Sequence, residues 1–134
     1  MRTFDLRTRV FWAALLLAMH LALPRPAAAL DDHRLADAAM RQDRATVLSL
    51  LKQRARVNAP QADGSTALTW AAHWGDADMA EALLKAGADP KLANEFGVTP
   101  LALACVNGNL PVVQKLVGAK ANPNVVARSG ETPF

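Results

Sequence analysis

Gly64, Gly97 and Gly130 stand 33 residues apart, and the register around them holds. Thr66, Thr99 and Thr132 repeat with them, followed by Leu68, Leu101 and Phe134. Ala71 matches Ala104, Gly75 matches Gly108, Leu83 matches Leu116, and Ala88-Asp89-Pro90 matches Ala121-Asn122-Pro123. A unit reused at fixed spacing dictates a stacked array, in which each copy touches mainly its neighbours.

The start of the chain belongs to a different class of segment. Arg2, Arg7 and Arg9 precede an apolar run from Val10 to Leu23, interrupted only by His20. Pro24, Arg25 and Pro26 follow, then Ala27-Ala28-Ala29. This is the layout of a secretory signal peptide over residues 1–29, with cutting expected after Ala29. The alternative is an uncleaved anchor. As a helix, however, the run would span roughly 21 Å, short of a bilayer core of about 30 Å. No basic stop-transfer flank follows it.

The leader also carries most of the charge imbalance. The whole chain has 15 basic and 12 acidic side chains, a formal net charge of +3. Residues 1–29 hold Arg2, Arg7, Arg9, Arg25 and Asp5, which leaves 11 basic and 11 acidic groups beyond them. A neutral remainder gives no warrant for binding nucleic acid or an anionic membrane surface, and none is expected. Cys105 is the single cysteine, so no internal disulfide is available and stacking must supply the stability. Its place in the apolar run Leu101–Val106 predicts a buried structural thiol.

The unit from Asp63 to about Ala93 reads as two short helices behind a turn. Asp63-Gly64 is the turn signal, and Thr66 offers a hydroxyl cap. Leu68, Trp70, Ala71 and Ala72 begin the first helix, and Gly75-Asp76 ends it. Met79, Ala80, Leu83 and Leu84 fall on one face of the second, which Gly87 closes in a left-handed conformation. The next unit repeats this, with Thr99-Pro100 opening its first helix and Val112, Val113, Leu116 and Val117 lining its second. Gly118 is the expected stop there.

An earlier, divergent copy spans residues 30–62. Leu35 aligns with Leu68, Ala38 with Ala71, Val47 with Ala80, and Leu50-Leu51 with Leu83-Leu84. Gln42 and Arg54 stand where the later units have Gly75 and Gly87. Such divergence suits an N-terminal capping repeat, apolar on one side only. Full repeats then cover 63–95 and 96–128, and residues 129–134 open a further one that stops at Phe134. Val112, Leu116 and Val117 are therefore expected to face no successor. Either the chain is truncated there or another chain covers that edge.

Gly97-Val98-Thr99-Pro100-Leu101, Ala104-Cys105, Gly108-Asn109 and Val112-Val113 together resemble the ankyrin repeat, whose signature reads G-x-T-P-L-H-x-A-A-x-x-G-H-x-x-V-V. The resemblance covers about residues 31–134. It implies an all-α solenoid of stacked helix-turn-helix repeats with projecting hairpin loops, and a role in binding other proteins without chemistry or cofactor. Thr69 and Ala102 replace the signature's first histidine, and Asp76 and Asn109 its second. Some bracing of the hairpins is therefore expected to be missing. With its leader, the chain is similar to small periplasmic ankyrin proteins of Gram-negative bacteria.

In such a stack the hairpins and first helices form the concave face, so function is expected there. The matching positions are Asp63 and Ser65 in one hairpin, with Glu95 and Phe96 in the next. His73, Trp74, Val106 and Asn107 come from the first helices. Trp74 leads, because indole is a frequent interface anchor; the alternative is that it packs across a hairpin. Trp70 reads as core. Phe96 is either a loop anchor or packed on its own hairpin. His33 and His73 lack the companion ligands of a metal site. No serine has a base and orienting acid, and no phosphate-cradling glycine motif occurs. The expectation is a non-enzymatic, periplasmic protein-binding module without metal or cofactor, with an inhibitor or immunity-type role as one form. The alternative is a structural or capping subunit joined to a larger assembly through the apolar C-terminal edge.

Overall fold

Among the described residues, three short helix pairs follow one another along the chain. The computed structural model describes residues 33–124. The pairs are α1 (Arg34–Met40) with α2 (Arg44–Lys52), α3 (Ala67–Trp74) with α4 (Ala77–Lys85), and α5 (Pro100–Val106) with α6 (Leu110–Gly118). First helices pack on first helices and second on second, so the fold is the all-helical stack that the period requires. Among the described residues there is no strand. The leader expected over 1–29 and the partial repeat at 129–134 lie outside the described residues.

Side-chain caps start four of the six described helices, α2 to α5. Thr66 and Thr69 form a reciprocal capping box. Thr69 Oγ1 accepts from the Thr66 N–H at 3.1 Å, and Thr66 Oγ1 accepts from the Thr69 N–H at 3.4 Å. Thr69 thereby supplies part of the bracing lost with the signature's histidine. Ala102 has no such side chain, and α5 keeps only the bond from its own N–H to Thr99 Oγ1, at 3.2 Å. Asp43 and Asp76 cap α2 and α4 by accepting from the Thr46 and Met79 N–H groups, both at 3.0 Å.

The core is a column of equivalent positions. Leu35, Leu68 and Leu101 stack through the first helices, and Leu50, Leu83 and Leu116 through the second. Met79 and Val112 are buried between them. The sequence had left Val112 and Leu116 facing no successor, and this is corrected: both are fully buried at 0 %. They point inward between α6, α5 and the preceding pair; only Val117, at 50 %, stays open. Truncating a fully buried leucine loses its transfer energy and leaves a cavity. Leu116→Ala is therefore expected to destabilise the fold by about 2–5 kcal/mol in urea unfolding.

The second helices end on a left-handed residue, and its identity varies. Gly87 has φ of 96°, but the equivalent residues are Arg54 at 57° and Lys120 at 64°. The expected stop at Gly118 is corrected, because Gly118 is the last residue of α6 and Lys120 takes the left-handed turn. A Cβ costs roughly 1–2 kcal/mol in that conformation, partly offset by the greater freedom of glycine when unfolded. Lys120→Gly and Arg54→Gly should each raise stability by about 0.5–1 kcal/mol, read as a higher urea midpoint. Gly75, at φ of 69°, is constrained twice over: a Cβ there would also lie 2.6 Å from the Asn109 side chain.

Ion pairs cross between the second helices. Arg44 reaches Asp76 at 2.7 Å and Asp78 at 3.3 Å, while Glu81 holds Lys115 at 2.5 Å and, within its own helix, Lys85 at 2.7 Å. Hydrogen bonds from Lys115 and then Lys85 hold the Glu81 carboxyl down at about 2, against an ordinary 4.5. A carboxyl lowered by folding contributes stability above its unfolded value, and that contribution fades as pH falls through the folded one. The Glu81 contribution is thus complete above about pH 4.5 and lost between there and about 2. Glu81→Gln should flatten the pH dependence of the unfolding free energy within that window and leave its slope near neutrality unchanged.

Candidate functional site

One position recurs at the exposed end of every first helix. Met40, His73 and Val106 are 33 residues apart, and all three are exposed, Val106 at 82 %. The next residue along is Arg41, Trp74 or Asn107. The period therefore draws a row of exposed side chains along the stack. Met40 was absent from the expected contact set, although counting back 33 residues from His73 finds it.

Around α3 this row becomes an aromatic cluster. The His73 ring meets Trp70 edge-on at 5.5 Å and Trp74 edge-on at 4.7 Å. Trp74 keeps 44 % of its surface, yet its Nε1–H donates to the Met40 carbonyl at 3.1 Å. One repeat later, Asn107 Nδ2 donates to the His73 carbonyl at 3.0 Å. These are the same bond at the same repeat position, made by an indole in one copy and an amide in the next. Trp74 and Asn107 thus stitch neighbouring repeats while leaving part of their surface to solvent.

Trp70 is half-buried against the core, and its Nε1–H donates to Gln61 Oε1 at 2.6 Å. Gln61 in turn donates from Nε2 to Asp37 Oδ1 at 2.6 Å. This chain ties α3 to the first hairpin and the hairpin to α1. The sequence carried no signal for it, because Asp37 lies 24 residues before Gln61 and is matched by no polar partner in the other copies. Beside it lies an open cleft of about 670 Å³, lined among others by His33, Asp37, Arg56 and Gln61.

The hairpins are built from equivalent backbone bonds. Gln61 N–H donates to the Ser65 carbonyl at 2.8 Å, and Asn94 N–H to the Val98 carbonyl at 3.0 Å. The Glu95 N–H donates to the Asp63 carbonyl at 2.9 Å, which joins the two loops. Ser65 must be removed from the set of accessible residues. It is only 3 % exposed, and its hydroxyl donates to Asp63 Oδ2 at 2.9 Å. Its side chain serves the turn rather than solvent. Asp63 is half-buried by the same bonds, Glu95 is exposed, and Phe96 is 65 % exposed at the loop tip. Of the two roles open to Phe96, that exposure favours the loop anchor.

Cys105 is half-buried rather than buried, because nothing among the described residues covers its side of α5 as α5 and α6 cover Ala72. Desolvation pushes its thiol pKa up, away from the reactive thiolate. Among the described residues no three His, Cys, Asp or Glu side chains converge as a metal site. Nor is any helix among them long and apolar enough to cross a membrane.

Because Trp74 is both stitch and surface, its substitution changes stacking first. Trp74→Phe removes one hydrogen bond between repeats and is expected to cost about 0.5–1.5 kcal/mol. Asn107→Ala should fall in the same range, both measured by urea unfolding.

A family model described as ankyrin repeats, in three copies, matches residues 35–127. No curated protein matches the chain.

Proposed function

The chain belongs to the ankyrin repeat family, whose repeats mediate protein–protein interaction, and from that premise we propose that it is a periplasmic binding module holding a protein partner on its hairpins and first-helix ends. The observation that carries this reading is the exposed row Met40, His73, Trp74 and Val106, continued at the loop tip by Phe96. Apolar and aromatic side chains at regular intervals on a rigid frame suit recognition by shape and a few anchors. Asp63, Glu95 and Asn107 supply the polar surroundings of such a patch. Export rests on the leader read in residues 1–29, and inhibition of a secreted enzyme or immunity toward a toxin is one form the binding takes.

A second reading is favoured by the far end of the stack, where Leu110 is 62 % and Val117 50 % exposed. There the protein acts as a structural or capping subunit, joined to an assembly through its apolar C-terminal edge.

The first reading is tested with substitutions that leave the stack alone. Phe96→Ser and Val106→Arg change exposed side chains and should not alter helical content. A partner captured from periplasmic extract by the parent protein is expected to be lost on both variants. Undiminished capture by both would place the binding surface elsewhere.

A further inference from the structure

Gln61 stands between two groups of opposite polarity. The Trp70 indole N–H can only donate, and the Asp37 carboxylate can only accept. A side chain that joins them must accept at one atom and donate at another, and an amide does both. Gln61 Oε1 faces Trp70 of α3 and its Nε2 faces Asp37 of α1, each at 2.6 Å. The two partners thus fix which way the amide points. The backbone of the same residue closes the first hairpin. Its N–H donates to the Ser65 carbonyl at 2.8 Å, and its carbonyl accepts from the Gly64 N–H at 2.9 Å. One residue therefore holds the base of the loop and ties it to both first helices.

One repeat later the equivalents of Gln61 and Trp70 are Asn94 and Leu103. Leucine has no donor, and Asn94 Oδ1 turns into its own hairpin. There it accepts from the Phe96 and Val98 N–H groups at 3.1 and 3.0 Å. The second hairpin is thereby braced as a unit with Phe96 at its tip, and it is seated on the first. The Glu95 N–H donates to the Asp63 carbonyl at 2.9 Å. Beside that bond the two backbones approach closely: a Cβ on Gly64 would lie 3.1 Å from both Asn94 Cα and the Glu95 nitrogen. A line of directed contacts therefore runs from Asp37 through Gln61, Asp63 and Glu95 to Phe96.

We propose that Gln61 is a positioning residue for the binding surface. By locking the first hairpin to α1 and α3 it sets the place of the second hairpin, and so of Phe96 at its tip. This rests on reading Phe96 as a partner contact, the first reading given above. The gain is preorganisation, since an anchor already held in place loses little freedom when a partner binds.

Amide-resolved NMR and hydrogen exchange on the protein as the cell matures it are the test. Neither needs a partner, so the outcome is separate from that of the binding reading, which capture by Phe96→Ser and Val106→Arg decides. Gln61→Ala is expected to shift the amide resonances of Glu95 and Phe96 as well as those of Asp63 and Gly64. It should also speed exchange of the Glu95 N–H by about tenfold. Resonances of α2 and α4 should keep their parental positions. Resonance positions report the folded state, so a lower global stability alone would not move them. Gln61→Glu keeps the shape and the bond to Trp70 but sets a carboxylate against Asp37, and should loosen the Glu95 N–H in the same way. Adding Asp37→Asn to that variant returns a donor to the Asp37 side and should restore the parental rate. Shifts confined to the first hairpin and Trp70 in Gln61→Ala overturn the proposal, as does a Glu95 rate that Asp37→Asn leaves unrestored. Should Gln61→Ala fail to fold, Gln61→Glu with and without Asp37→Asn carries the test alone.

Discussion

No helix pair in this protein can bury its own apolar surface. The described helices run to between seven and nine residues, too short to persist alone in water. What holds each pair is the cover that the next pair lays over its forward face. Small side chains at Ala39, Ala72 and Ala80 let helices approach closely, and Leu50, Leu83 and Leu116 fill the column behind them. Remove that cover and neither the hairpins nor the helix ends keep their positions. The exposed row of first-helix ends depends on it.

Directional bonds then fix how each repeat sits on the last. Trp74 with Met40 and Asn107 with His73 act at the first-helix ends. Glu95 and Asp63 join the hairpins, Asn58 accepts from the Asp89 N–H in the connecting loops, and Lys115 meets Glu81 across the second helices. The two sides of the stack divide the work. Beside that leucine column, partly exposed ion pairs join the second helices, Arg44 with Asp76 and Asp78 and Lys115 with Glu81, and these are weak and screened by salt. The first helices and hairpins use hydrogen bonds to backbone carbonyls, and leave apolar and aromatic surface free beside them. A rigid frame carrying a soft-edged apolar row is the physical basis of the binding role proposed for it.

Position in the stack modifies residues that the sequence makes equivalent. Cys105 occupies the place of Ala72, but one is half-buried and the other fully covered. Lys120 and Arg54 adopt the left-handed turn that Gly87 makes freely, because the connection demands that conformation whatever residue the sequence provides. Ser65 shows the reverse. It lies in a hairpin where neighbours are accessible, and the Asx turn of Asp63 draws it inward. These differences arise from neighbours in space, which a repeat alignment averages away.

The sequence by itself determined the repeat, its helix pairs, their threonine caps and most of the core. These follow from hydrogen bonds within a few residues and from an apolar period that only one packing satisfies. It also located the exposed ends of the first helices, since His73, Trp74, Val106 and Asn107 fall at fixed places in the period. Only the tertiary structure decided what those residues touch. That Trp74 bonds the Met40 carbonyl, that Asp37, Gln61 and Trp70 form one chain, and that Leu116 is buried while Val117 is open depend on contacts across 9 to 34 residues. Such contacts are set by how one pair rotates on the next, and no local preference encodes that rotation.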